Sequence, residues 1–130
     1  MLKIGITGRI EKQVELKDTA AAHGSGTLEV FATPAMAALI EETCWKSIAA
    51  ELEEGTTTVG TALKIRHLAP TPTGMKVWCE SKVTEAEGRK VRFDVQIFDE
   101  TGLIGESMHE RFIVQEDGFQ KKADAKRSLV

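Results

Sequence analysis

Apolar and polar residues alternate with period two over most of the second half of the chain, which is typical of strands with one buried face. The pairs Glu87-Gly88 and Thr101-Gly102 are typical of tight turns, so the last three strands are predicted to form an antiparallel meander. A looser alternation over Ile10–Lys17 predicts one earlier strand. The four later strands are predicted at Val59–Leu68, Met75–Ala86, Lys90–Phe98 and Leu103–Gln115.

Between the first strand and the others, one segment carries a strong helical period. Thr33 is predicted to be its N-cap and Pro34 its first helical residue, where a missing N–H costs nothing. The helix is predicted to end near Leu52, and the small, glycine-rich segment Asp18–Thr27 before it is predicted to be a loop. The apolar residues at helical spacing are Met36, Leu39, Ile40, Cys44 and Ile48.

These elements predict an α+β fold, in which one long helix packs on a five-stranded antiparallel sheet. Residues 1–118 are predicted to form a single domain, and residues 119–130 a charged C-terminal tail. Within that tail Lys121–Arg127 lacks a core pattern and is predicted to be a frayed end. Because one helix leaves sheet edges and apolar surface uncovered, we expect a homodimer.

Composition narrows the class of protein. A chain of 130 residues with a net charge of −3 lacks the basic excess of a general nucleic-acid binder. It has neither an apolar run long enough to cross a membrane nor the apolar core of a signal peptide, so we expect a cytoplasmic location and no membrane partner. Cys44 and Cys79 lack the spacing of a metal site, and we expect both to be small buried hydrophobes and no metal to be bound.

Three reactive groups are concentrated around the helix and the strand that follows it. They are the Thr33 hydroxyl, the Glu41 carboxylate and the His67 imidazole, which are the usual groups of acyl transfer. Strict alternation places His67 on the helix-facing side and Gly60 on the opposite face. Glu41 lies near the apolar stripe of the helix, whereas Glu42 is predicted to face solvent.

Each of these residues also has an ordinary structural explanation. From the pattern alone a satisfied core histidine is favoured for His67, a boundary charge for Glu41 and a routine helix cap for Thr33. Thr33 and Glu41 are roughly 12 Å apart along a helix axis, so they act together only through a bridging substrate or water, or across two subunits. Arg111 shares a strand face with His109 and either binds an anionic group or lies on a solvated sheet edge.

The order of these residues resembles the fluoroacetyl-CoA thioesterase family of hotdog-fold enzymes. The resemblance is carried by Val30-Phe31-Ala32-Thr33 with Glu41, by Gly60-Thr61-Ala62 with His67, by Thr71-Pro72 and Gly74, and by His109-Glu110-Arg111. It implies a hotdog dimer, possible pairing of dimers, and hydrolysis of a short acyl-CoA thioester without a metal or redox cofactor. It further implies catalytic roles for Thr33, Glu41 and His67, and substrate contacts from Gly60, Phe31 and Arg111.

One segment departs from the family pattern. Fluorine-selective members carry phenylalanines in the loop before the helix, whereas Gly24–Thr27 is small and polar and only Phe31 lies nearby. We therefore expect a general short-chain acyl-CoA thioesterase, or one with another small substrate. Two alternatives stay open from the sequence: a hotdog hydratase or dehydratase, and a dimer that binds acyl-CoA or another small ligand without catalysis.

Overall fold

Five antiparallel strands form one sheet in the order β1-β3-β4-β5-β2, and one long helix packs on one of its faces. The computed structural model describes residues 2–130. The predicted α+β architecture and the meander of the last three strands are confirmed. The strands are β1 (Thr7–Gln13), β2 (Thr56–His67), β3 (Lys76–Glu87), β4 (Lys90–Asp99) and β5 (Gly102–Gln115), and the helices are α1 (Ala20–His23), α2 (Thr33–Ile48) and α3 (Glu116–Asp124).

The core lies between α2 and the sheet. Met36, Ile40, Cys44 and Ile48 recur every fourth residue on α2 and are all 0% exposed, as the helical period predicted. Burial of each such side chain contributes about 1.5–3 kcal/mol relative to exposure, so this stripe fixes the helix on the sheet. The facing sheet residues are Val77, Cys79, Val83, Val91, Phe93 and Ile97.

The start of the chain differs from the prediction. The first strand spans Thr7–Gln13 and not Ile10–Lys17, because the chain then turns into a short 3-10 helix at Leu16–Asp18. Asp18 holds that turn by accepting a hydrogen bond from the Glu15 N–H and by pairing with Lys12 at 2.7 Å. The predicted loop after it contains one helical turn, α1, because the Thr19 hydroxyl accepts from the Ala22 N–H.

The start of α2 is shifted by one residue relative to the prediction. Ala32 is the N-cap and Thr33 the first helical residue, because the Thr33 hydroxyl bonds to a side chain elsewhere and not to the helix backbone. Pro34 still lies in the first turn, where its missing N–H leaves no gap. The helix ends at Ile48, and a 3-10 turn over Ala49–Glu51 follows.

Strand β2 lies at an edge of the sheet and contains a β-bulge. It begins at Thr56, ahead of the predicted Val59, and pairs only with β5. The register shifts between Gly60 and Ala62, so Thr61 is an extra residue that reverses the alternation at that point. Its middle section, residues 60–64, is exposed.

The C-terminal segment is helical, whereas the sequence predicted a frayed end. Helix α3 carries Glu116 and Asp117 in its first turn and Lys121 and Lys122 in its last, which complements the helix dipole at both ends. A 3-10 stretch over Ala125–Leu129 follows, and every residue of both elements is exposed. The helix contributes no buried side chain, so these charges favour it without help from core packing. Within residues 2–130, none of the helices has the length and apolar character needed to cross a membrane.

A buried carboxylate, Asp99, ties the loop after β2 to the end of β4. Its oxygens accept hydrogen bonds from the Thr71 hydroxyl at 2.7 Å, the Thr101 hydroxyl at 2.6 Å and the Thr101 N–H at 2.8 Å. Burial by itself would raise the pKa of Asp99, but these hydrogen bonds outweigh it and hold the pKa below its usual value. The Thr71 carbonyl in turn accepts from the Phe31 N–H at 2.8 Å, so the network supports the segment that leads into α2.

Replacing this carboxylate should destabilise the fold. Asp99→Ala leaves three donors without their acceptor, so we expect the free energy of unfolding at pH 7 to fall by about 1–3 kcal/mol in urea denaturation. Because the pKa of Asp99 is lower folded than unfolded, its stabilisation is present above the unfolded value of about 3.9 and is lost as pH falls through the folded value. The difference in the free energy of unfolding between wild type and Asp99→Ala should therefore become smaller in acid.

Asp94→Ala is the matched control, since Asp94 lies exposed on the same strand. It should change the free energy of unfolding by less than about 0.5 kcal/mol. Equal destabilisation by the two substitutions, or a gap that does not depend on pH, would contradict the role given to Asp99.

Candidate active site

The Thr33 hydroxyl and the His67 imidazole meet at one end of β2. Thr33 Oγ1 lies 2.9 Å from His67 Nδ1. Thr33 is placed by the first turn of α2, and His67 by the last position of β2 on the helix-facing side, as predicted. A hydroxyl and an imidazole at this distance can exchange a proton.

The His67 ring sits in a half-buried, partly apolar setting. Its Nε2 is buried and has no hydrogen-bond partner within residues 2–130, and the buried Phe31 ring meets it edge-on with centroids 6.5 Å apart. Burial lowers the pKa of His67, and the nearby Ala69 backbone opposes this only in part. At neutral pH the imidazole is therefore uncharged and able to accept a proton. A cavity of about 340 Å³ opens here, lined in part by Ser25, Phe31, Thr33 and His67.

A second group of polar side chains surrounds Glu41, two turns further along α2. Glu41 Oε2 lies 3.7 Å from Nη1 of Arg111, whose side chain is only 8% exposed. The guanidinium also donates from Nε to the Thr58 hydroxyl at 2.7 Å and from Nη2 to the Thr58 carbonyl at 2.9 Å. Arg111 is thus a buried cation anchored to β2, and the alternative of a solvated sheet edge is wrong.

His109 completes this second group. Its Nδ1 lies 2.9 Å from the Ala62 carbonyl and its Nε2 lies 3.1 Å from Nη1 of Arg111. Burial lowers the pKa of His109; the Ala62 hydrogen bond opposes this and the charge of Arg111 adds to it. The ring is 1% exposed and stacks on Phe93 with centroids 6.1 Å apart.

Gly60 lies directly over these groups because of the bulge in β2. Strict alternation predicted it on the face away from the helix, but the extra residue Thr61 brings it to the face of Glu41. A Cβ atom at Gly60 would lie 2.8 Å from Glu41 Oε2 and 3.3 Å from His109 Cε1. Only glycine leaves the carboxylate in its observed position, and a cavity of about 250 Å³ borders it.

The structure therefore divides the predicted site residues between two groups. Phe31, Thr33 and His67 lie at one end of β2, and Glu41, Gly60 and Arg111 lie near its middle. No hydrogen bond or ion pair between the two groups is found within the described residues 2–130. Sequence reasoning missed Thr58 and the burial of His109; the only signal was the shared strand face of His109 and Arg111.

Comparisons with known proteins identify the family to which the chain belongs. The family model for the fluoroacetyl-CoA-specific thioesterase matches residues 14–117. A fluoroacetyl-CoA thioesterase of Streptantibioticus cattleyicolor is 36% identical over 98 residues, which cover 75% of this chain and 70% of the relative. The chain belongs to the fluoroacetyl-CoA-specific thioesterase family. The predicted family and enzyme class, an acyl-CoA thioesterase, are thereby confirmed.

Solved structures confirm the hotdog fold of this thioesterase. The fluoroacetyl-CoA thioesterase FlK superposes with a TM-score of 0.90 at 29% identity, covering 97% of this chain and 98% of FlK. A hypothetical protein of Thermus thermophilus, described as a thioesterase superfamily member, gives a TM-score of 0.90 at 27% identity, covering 97% of this chain and 93% of that protein. A variant of FlK has been solved in complex with acetyl-CoA.

The segment where the sequence departs from fluorine-selective members borders the Thr33–His67 cavity of this thioesterase. Gly24–Thr27 is exposed throughout, and Ser25 lines the cavity. The aromatic ring closest to His67 in the cavity wall belongs to Phe31, which is 1% exposed and packed into the core. The loop itself places no aromatic side chain over the cavity.

The described residues of this thioesterase were compared with the requirements of a metal site. Across residues 2–130, the His, Cys, Asp and Glu side chains do not form a group of three or more arranged to hold a metal ion. Cys44 and Cys79 are both buried and unpaired, in agreement with the expectation that they pack as small hydrophobes.

Glu41 and Glu42 form a matched pair on α2. Their side chains are 45% and 46% exposed, so the predicted difference in exposure is wrong; they differ in their partners instead. Glu41 lies against the buried Arg111, whereas Glu42 pairs with Lys46 at 2.6 Å on the helix surface. Partners and not exposure therefore set Glu41 apart from its neighbour.

If Glu41 takes part in thioester hydrolysis, Glu41→Gln should lower kcat at least about a hundredfold, or roughly 2.7 kcal/mol of barrier. Glu42→Gln removes only a surface ion pair and should change kcat less than about threefold. Thiol release from acetyl-CoA measures both. Similar losses for the two variants, or a larger one at Glu42, would show that Glu41 is only a boundary charge.

Proposed function

We propose that this thioesterase hydrolyses short-chain acyl-CoA thioesters as a homodimer, in which Thr33 and His67 of one subunit act with the partner's Glu41. The observation that carries the proposal is that the two groups lie beside different points of one exposed edge strand, β2. His67 ends β2, and Gly60, which lies over Glu41, is seven residues earlier, roughly 20 Å away along the strand. One subunit alone therefore holds the two groups too far apart to act on one carbonyl.

Antiparallel pairing of β2 with its copy would bring the groups together. An exposed edge strand offers unpaired N–H and C=O groups, which a second strand can satisfy. If the two-fold axis passes between Leu63 and Lys64, His67 of each subunit lies opposite the partner's Gly60 and thus near the partner's Glu41. Such pairing forms two equivalent sites.

The residues supply each requirement of thioester hydrolysis. Glu41 either attacks the carbonyl or orients the attacking water, and both routes consume one water molecule. His67 takes a proton from the attacking water, the tetrahedral oxyanion collapses, the C–S bond breaks, and His67 passes that proton to the thiolate of coenzyme A. If Glu41 attacks directly, the C–S bond breaks to leave an acyl–Glu41 anhydride; water deprotonated by His67 then hydrolyses the anhydride, and the same proton goes to the thiolate. Thr33 fixes the imidazole through its hydroxyl. These steps need no metal or redox cofactor, and Gly60, Phe31 and Arg111 are proposed to shape the acyl site or to hold Glu41 in it.

The substrate is proposed to be a short acyl-CoA without selection for fluorine, because no aromatic side chain of Gly24–Thr27 covers the cavity. We expect steady thiol release from short acyl-CoAs, with kcat/KM for acetyl-CoA and fluoroacetyl-CoA within about tenfold, or 1.4 kcal/mol. A preference for fluoroacetyl-CoA beyond about a thousandfold would refute this specificity. Binding of acyl-CoA without any release would refute hydrolysis itself.

Heterodimers test the shared site directly. One subunit carries His67→Ala and the other Glu41→Gln, each with a different affinity tag, and the mixed dimer is purified through both tags. One of its two sites then holds both substitutions and the other holds none, so about half of the wild-type kcat per dimer should return although both parent homodimers are nearly inactive.

A mixed dimer of His67→Ala and Thr33→Val is the control, since both residues come from the same subunit at each site. Every site in it carries one substitution, and no activity should return. If the mixed dimer of His67→Ala and Glu41→Gln stays inactive, the site is not built from two subunits. If no species carrying both tags can be purified, the protein does not form the proposed dimer.

A further inference from the structure

We propose that His109 is a positioning residue, which holds the guanidinium of Arg111 against Glu41 by presenting Nε2 as a hydrogen-bond acceptor. The inference rests on the proposed function, in which Glu41 is the catalytic carboxylate. From the sequence, His109 received neither a catalytic nor a substrate-binding role.

The two partners of the imidazole determine its tautomer. The Ala62 carbonyl can only accept, so His109 Nδ1, 2.9 Å away, must carry the proton. Arg111 Nη1 can only donate, so His109 Nε2, 3.1 Å away, must offer its lone pair. Both contacts are satisfied together only by the neutral Nδ1–H form.

The guanidinium depends on this acceptor for its orientation. Two of its nitrogens are fixed on Thr58, through Nε at 2.7 Å and Nη2 at 2.9 Å. The third, Nη1, lies between His109 Nε2 at 3.1 Å and Glu41 Oε2 at 3.7 Å. Without the imidazole acceptor, a buried N–H of Nη1 loses its partner, and the guanidinium tilts on its two Thr58 contacts toward another acceptor, which changes its position relative to the Glu41 carboxylate.

The same contacts argue against a direct catalytic role for His109. Both ring nitrogens are engaged inside the protein and the residue is 1% exposed, so although the ring borders the Glu41 cavity, neither nitrogen is free to exchange a proton with a substrate. The bond to Ala62 also ties the ring to the bulge that carries Gly60. His109 therefore links the shape of the edge strand to the position of the catalytic carboxylate.

Two amide substitutions separate this role from simple packing. In His109→Gln the side-chain oxygen reaches the position of Nε2 and can accept from Arg111; in His109→Asn the amide reaches only the position of Nδ1 and can satisfy Ala62. We expect His109→Asn to lower kcat at least about tenfold with KM changed less than about threefold, and His109→Gln to keep kcat within about threefold of wild type. Equal losses in both variants, or a larger loss with Gln, would overturn the proposal.

Combining His109→Asn with Glu41→Gln shows whether His109 affects kcat through the Glu41 carboxylate. There, His109→Asn should lower the residual kcat by no more than about twofold, because the group it positions is already gone. An undiminished tenfold loss would contradict the mechanism. If wild type shows no turnover, the proposed function fails; if Glu41→Gln is impaired and His109→Asn is not, only the role of His109 fails.

The tautomer can be observed without any variant of His109. The chain has three histidines, so ¹⁵N spectra of the labelled wild-type protein, assigned with His23→Gln and His67→Gln, isolate the signals of His109. A protonated Nδ1 and an unprotonated Nε2 at neutral pH are expected. A protonated Nε2 would overturn the proposal whatever the kinetics of the variants.

Discussion

The buried guanidinium of Arg111 is the constraint on which the middle of the site depends. A charge removed from water is tolerated only when its donors find acceptors, and here these are supplied by β2, by β5 and by α2. Thr58 offers a hydroxyl and a carbonyl, His109 a lone pair and Glu41 a negative charge. The side chain of Arg111 therefore contacts all three elements. Among its three partners, Thr58, His109 and Glu41, only Glu41 remains half exposed.

A single extra residue in the edge strand makes this arrangement possible. Thr61 shifts the register of β2 against β5, so the alternation of side chains between the two faces of the sheet reverses between Gly60 and Ala62. Upstream of the bulge, Gly60 leaves room for the Glu41 carboxylate; downstream, the Ala62 carbonyl is directed at His109. Bulges commonly redirect side chains beside active sites, and this one also leaves Leu63, Ile65 and His67 on the helix-facing side.

Rigid geometry keeps the hydroxyl–imidazole pair and the carboxylate apart within one chain. Thr33 and Glu41 are fixed on the same helix, whose buried stripe prevents it from bending to bring them together. His67 and Gly60 are fixed at different points of the same strand. The proposed homodimer would complete a site that needs both groups, and an exposed edge with self-complementary hydrogen-bonding groups is suited to that pairing.

The sequence alone determined the layer architecture and the chemical class. Period-two alternation located β3, β4 and β5 to within one residue at each end, the four-residue spacing from Met36 to Ile48 located the helix, and the order of Thr33, Glu41, Gly60 and His67 indicated the thioesterase family. The predictions of strands and helix succeed because the burial of one face and the residue types of turns are encoded over short stretches of chain.

Only the tertiary structure decided which face Gly60 occupies, that Glu41 and Glu42 differ in partner and not in exposure, and that His109 and Arg111 are buried. Each of these depends on contacts between residues distant in sequence: the bulge arises from pairing of β2 with β5, and the burial of Arg111 from acceptors on three separate elements. The helical C-terminal segment was missed for a different reason, since charges at its two ends stabilise it without an apolar stripe. A pattern of hydrophobic positions cannot reveal where long-range partners will satisfy a polar group, because that depends on which strands meet and in which register.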